Sequence, residues 1–176
     1  MTTALRARPD TSEYAPFYAG YVAAVPDGDP VTLLRDAGAE LDAVLRGIPE
    51  GRGGFRYAEG KWSIREVLGH LIDAERIFTY RALRIARGDA TPLPGFEEND
   101  YVRSAGSDHR TLADLADELR TVRDSSVRLF ATLPDEAWPR RGVASGKDIT
   151  VRALAWITVG HATHHLRVLR ERYGIS

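Results

Sequence analysis

The sequence predicts an all-α fold, a four-helix bundle with long connecting loops, on three observations. Four segments repeat apolar residues at helical spacing, and a capping residue opens each of them. No run between turn signals shows the alternation of a half-buried strand. The glycine- and proline-rich clusters fall between the periodic segments, where they break the chain.

Residues 1–29 form an irregular, aromatic-rich lead-in. Tyr14, Phe17, Tyr18 and Tyr21 precede PDGDP, and aromatics at that density are expected to pack over the bundle. Asp29-Pro30 then starts the first helix, a cap followed by proline in the first turn. Val31, Leu34, Leu41, Val44, Leu45 and Ile48 carry it to Pro49, and GRGG (51–54) interrupts. The second helix opens with Ser63-x-x-Glu66, a capping box. Its stripe of Ile64, Val67, Leu68, Leu71, Phe78 and Ala82 runs to about Gly88. Residues 89–110 read as a long loop, a length that in compact domains often lines a functional site. Thr111, with Asp114 three residues on, starts the third helix, which carries Leu112, Leu115, Leu119, Val122, Val127, Leu129 and Leu133. After the connection 134–148, Thr150 caps the fourth helix, which ends at Gly174, a suitable left-handed terminus.

The 176 residues suit one domain, 1–176, with a sizeable core. A net charge of −1 gives no basic surplus for phosphate, so nucleic acid is not an expected partner. No apolar run approaches the ~20 residues that span a bilayer, and MTTALRARPDTSEYAPFY lacks the apolar core of a secretory signal. A cytoplasmic protein without a membrane partner is therefore expected. The chain has no cysteine, which rules out disulfides, thiolate metal ligands and a cysteine nucleophile. Any sulfur chemistry would need a thiol that arrives with a substrate.

GHATHHLRVLRERYG (160–174) holds three of the five histidines. On a helical wheel His161 and His165 share the core-facing stripe with Leu154, Thr158, Leu169 and Arg172, one turn or ~6 Å apart. Two imidazoles at i, i+4 can converge on one cation, and the competing reading is a pair of hydrogen-bonded core histidines. His164 lies about 100° away on the wheel and is expected to face solvent or a partner. A mononuclear site takes three protein ligands and leaves a position open. His70, at the edge of the second helix's stripe, is the natural third ligand, whereas His109 reads as a surface residue. HATHH lacks the glutamate of HExxH, which argues against zinc-protease chemistry.

Glu75 falls among Leu68, Leu71 and Phe78, where a carboxylate is seldom unpaired. It is a candidate metal ligand, hydrogen-bond acceptor for a liganding histidine, or catalytic base. Structurally, it would pair with an arginine such as Arg172 or lie at the stripe's wet end. The acidic GFEEND, with Tyr101 after it, either borders the pocket or is a solvated loop. Trp62 and Trp156 are assigned to packing.

His70 in GHLIDAER, together with His161 and His165 in GHATHHLRVLRERYG, resembles the histidine triad of the DinB/YfiT-like family of metalloenzymes. EYAPFYAGYVAAVPDGDPVTLL, KWSIREVLGHLIDAER, RIARGDATPLPGFEENDYV and LPDEAWPRRGVASGKDITVRAL match that family's pattern in order along most of the chain. The resemblance implies a four-helix bundle, often a homodimer. It also implies a divalent cation, nickel or zinc, bound by His70, His161 and His165. Characterised relatives include thiol S-transferases that use bacillithiol, with mycothiol-dependent enzymes more distant. The expected function is thus a metal-dependent transferase joining a low-molecular-weight thiol to an electrophile. The alternatives are metal-assisted hydrolysis, with Glu75 as base, and a non-catalytic, stress-associated metal-binding protein.

Overall fold

The computed structural model describes residues 2–175. After a single turn, α1 (Thr2–Leu5), the lead-in passes through two 3-10 turns into α2 (Ala19–Ala24). The bundle consists of α3 (Pro30–Arg46), α4 (Ile64–Ala86), α6 (Leu112–Ala131) and α7 (Val151–Tyr173). Helices α3 and α4 each pack on both α6 and α7, and α2 lies along α7. The predicted bundle is therefore present. Among the described residues, no helix is long and apolar enough to cross a membrane.

The helix starts follow the local code. Asp29 accepts from the Val31 and Thr32 N–H groups, Ser63 and Glu66 form the reciprocal box, and Thr111 and Thr150 accept from Asp114 and Ala153. Each of these bonds satisfies a backbone donor that the helix cannot satisfy itself. Gly174 ends α7 at φ 64°.

Two segments differ from the sequence expectation. The loop 89–110 contains α5 (Glu98–Ala105), a short polar helix without a side-chain cap. The connection 134–148 contains most of a hairpin, β1 (Arg141–Ala144) against β2 (Lys147–Thr150), antiparallel with Arg141 opposite Thr150. Ser145 and Gly146 turn it with φ of 52° and 71°, the positive pair that a tight two-residue turn requires. Leu93 donates to Val143 and accepts from Ser145, so the hairpin tip is fastened to the preceding loop.

The lead-in is anchored by polar bonds as well as by aromatics. Buried Glu13 accepts from Thr150 Oγ1 at 2.8 Å and from Arg152. Tyr14 and Tyr18 are buried, while Phe17 is largely exposed.

The apolar core divides into two clusters. One holds Leu34, Phe78, Val127 and Leu154; the other holds Leu41, Leu68, Leu119 and Leu169. A polar layer lies between them in sequence on the bundle helices: Glu75 on α4, Arg123 on α6, and His161 and His165 on α7. Helix α7 is buried on nearly every side from Val151 to Ala162. The apolar stripe read from its sequence is thus one side of an enclosed rod.

Candidate metal centre

Two small residues determine which neighbours reach the polar layer. A Cβ on Gly160 would overlap the backbone of Tyr21. The glycine therefore lets α2 lie directly on α7, one residue before His161. A Cβ on Gly69 would overlap the Ser107 side chain, so the 3-10 turn Ser107–His109 packs on α4 beside His70.

His70 comes from α4 and His161 and His165 from α7. All three are buried, and their candidate ligand nitrogens lie within 4.8 Å of one another. His70 Nε2 and His161 Nε2 stand 2.9 Å apart. His165 Nδ1 is buried without a hydrogen-bond partner. The ring centroids form a near-equilateral triangle with sides of 4.9, 4.9 and 4.6 Å.

Burial, and secondarily the charge on His164, lowers the His70 pKa to about 4. Burial first and neighbouring histidines second lower His161 and His165 well below the usual imidazole value. At neutral pH the three rings are therefore uncharged, with lone pairs available. Nitrogens held ~2.0–2.1 Å from one cation must lie within about 4.2 Å of each other, and the His70–His161 pair meets that condition. The close nitrogens, the orphaned Nδ1 and the neutral donors fit a divalent cation. This cluster is capable of coordinating one.

Aromatic rings surround the histidines. Trp62, packed against the second apolar cluster as expected, stands 4.7 Å from His70 and stacks toward His165 at 6.5 Å. Tyr21 presents its ring to His161 and His164, each at 5.4 Å, and Phe78 lies 5.5 Å from His161. His164 is half-buried against Tyr21 rather than free in solvent, and His109 is exposed.

Two clefts reach the histidines. One, of about 110 Å³, is lined by His70, His161, Phe78, Arg81 and Phe96. The other, of about 280 Å³, is lined by His164, His165, Trp62 and Asn99. Phe96 and Asn99 belong to GFEEND, so part of that segment borders the site. A larger groove of about 320 Å³ between α3 and α6 touches none of the three histidines. The largest of these spaces therefore lies apart from the histidine cluster.

Glu75 has its counter-charge within the bundle, from Arg123 rather than Arg172. Arg123 Nε donates to Oε1 at 2.8 Å and Nη2 to Oε2 at 2.7 Å, while Nη1 donates to the Leu34 carbonyl at 3.0 Å. Arg172 is exposed. Both carboxylate oxygens are thus engaged, and Glu75 lies outside the group of convergent ligand atoms. Sequence reasoning did not identify Arg123, Tyr21 or Arg81 as neighbours of the site. Only a buried carboxylate in need of a cation pointed toward one of them.

A model of the DinB superfamily matches residues 33–169, a span that includes all three histidines. The chain belongs to the DinB superfamily. This DinB chain superposes on YfiT from Bacillus subtilis with a TM-score of 0.73 at 18% identity, covering 96% of this chain and 94% of YfiT. YfiT is described as a probable metal-dependent hydrolase with an unusual four-helix bundle topology. A mycothiol-dependent maleylpyruvate isomerase superposes with a TM-score of 0.66 at 15% identity. That alignment covers 77% of this chain but only 57% of the isomerase, so this chain spans little more than half of it. At such identities the likeness shows the shared fold. No curated protein sequence matches this one.

Proposed function

We propose that this DinB protein is a divalent-metal-dependent hydrolase whose cation is held by His70, His161 and His165. The observation that carries this reading is the convergence of three buried, neutral imidazoles where two clefts meet the polar layer. Likeness to YfiT over nearly the full length of both chains favours hydrolysis. Imidazole donors suit zinc and nickel. A bound cation supplies Lewis acidity, lowering the pKa of the water it holds. The chain's own residues do the rest. Trp62, Phe78 and Tyr21 restrict solvent around the imidazoles and fix their ring orientations. Glu75 serves as proton acceptor in this reading only by exchanging Arg123 for substrate; otherwise it positions the layer.

Thiol transfer is the second reading. It is supported by likeness to the mycothiol-dependent isomerase and by the lack of any cysteine in this chain. The same histidines would then activate a low-molecular-weight thiol.

The test begins with metal content by mass spectrometry on untagged protein, beside His70→Ala, His161→Ala and His165→Ala. The expected result is about one divalent ion per chain, lost in each variant. A panel of esters and amides, with and without added thiol, then separates the two readings. Metal-dependent turnover without thiol supports hydrolysis, and turnover only with thiol supports transfer. A wild type that takes up no metal after reconstitution overturns both.

A further inference from the structure

Arg81 is 2 % exposed, yet its partners are neutral. Nη2 donates to the Pro94 carbonyl at 2.7 Å and to Ser145 Oγ at 3.1 Å. Nη1 is buried with no partner. The other deeply buried arginine, Arg123, is neutralised by Glu75. A buried cation with unused N–H groups is costly until an anion completes it.

The surroundings of Arg81 resemble a built subsite. Arg81, His70 and His161 line the same cleft of about 110 Å³, and Tyr18, Phe78 and Phe96 supply its aromatic walls. Arg81 follows His70 on α4 by about three turns, ~16 Å along the axis. Long helical side chains lean back toward the N-terminus, here toward the histidines. Ser145 holds φ 52°, a conformation few side chains favour, with its N–H bonded to Leu93. That strained turn sets Ser145 Oγ on the guanidinium and leaves the hydroxyl proton free to donate.

We propose that Arg81 is the carboxylate-binding residue of this cleft. The substrate is then a small apolar or aromatic molecule bearing one carboxylate, its reacting bond directed toward His70 and His161. The proposal rests on the metal-site reading for where the reaction occurs, but not for the anion contact. A monoanion fits better than a phosphate, because one guanidinium with hydroxyl neighbours balances a single buried charge. Planar carboxylate is also the natural partner of a guanidinium.

Benzoate, benzamide and phenyl phosphate serve as probes, titrated by calorimetry into metal-free wild type, Arg81→Met and Arg81→Lys. Wild type is expected to bind benzoate roughly tenfold or more tighter than benzamide, the margin of a charge-assisted bond. Arg81→Met should lose that preference, and Arg81→Lys should keep part of it. Circular dichroism melts verify folding; should Arg81→Met not fold, the lysine variant and the wild-type probe comparison decide. Absence of benzoate binding, equal affinity for benzamide, tighter phenyl phosphate, or a preference unchanged in Arg81→Met each overturn the proposal. Metal content is read separately. A metal-loaded wild type indifferent to benzoate defeats only this proposal, and a benzoate-selective one without metal defeats only the hydrolase reading.

Discussion

Glu75 and Arg123 meet in a two-pronged ion pair at the centre of the bundle, 3 % and 5 % exposed at their side chains. The arginine reaches the carboxylate across Gly38, where a Cβ would stand 2.8 Å from Arg123 Cγ. A charge left alone in such a place is costly. Glu75→Gln or Arg123→Met alone is therefore expected to lower stability by about 3–5 kcal/mol, and the double replacement by clearly less than the sum. Denaturant unfolding of the four proteins measures this. Additive losses would mean that the two side chains do not depend on each other.

Gly160→Ala tests the contact that brings α2 onto α7. Alanine ordinarily favours a helix by about 1 kcal/mol over glycine. Here its methyl would overlap the Tyr21 backbone, which cannot rotate away. The net effect is expected to be a loss of roughly 1–3 kcal/mol, with the Tyr21 ring displaced from His161. Calorimetric melting checks the sign: an unchanged or raised Tm would show that α2 does not bear on Gly160.

Metal-free protein should lose stability as the solution is acidified. Unfolded histidine titrates near ~6.5, whereas burial, with His164 second, keeps folded His70 down at about 4. His161 and His165 are likewise lowered well below the ordinary imidazole value, by burial first and then by their neighbours. Below ~6.5 the unfolded chain takes up protons that the folded chain refuses. Stability is thus full above that pH and falls across the window toward about 4. Urea midpoints from neutral pH down to about 5 should decline more steeply in wild type than in His70→Gln. Equal slopes would mean that His70 is not held neutral by the fold.

The parts of this architecture written in local code were legible in the sequence. Asp29, Ser63, Thr111 and Thr150 each cap the helix they were expected to open, because a cap acts within three residues. The His161–His165 spacing likewise places both rings by helical geometry alone. Long-range features were not legible. Glu75 needed a cation, but Arg123 lies 48 positions away among many equally plausible arginines. The hairpin 141–150 has strands of only four residues, and its tip is held by Leu93, a contact that no periodicity encodes. Helix α5 is polar and lacks a cap bond, so its helical character depends on packing beside α4.

Added metal should stabilise the protein through the histidines and not through its surface acids. A ligand that binds only the folded state adds ~2.7 kcal/mol at a hundredfold excess over its Kd. For a chain of this length that is a rise of about 5–10 °C in Tm. Zinc or nickel added to chelator-treated wild type is expected to give such a rise, and His161→Ala and His165→Ala should lose most of it. Arg81→Met should keep it, since Arg81 shares the cleft but offers no lone pair to a cation. Scanning calorimetry with each metal separates the cases. An equal rise in the histidine variants would place the ion elsewhere. No rise in wild type would leave the three imidazoles as a neutral core cluster bound together by the 2.9 Å His70–His161 contact.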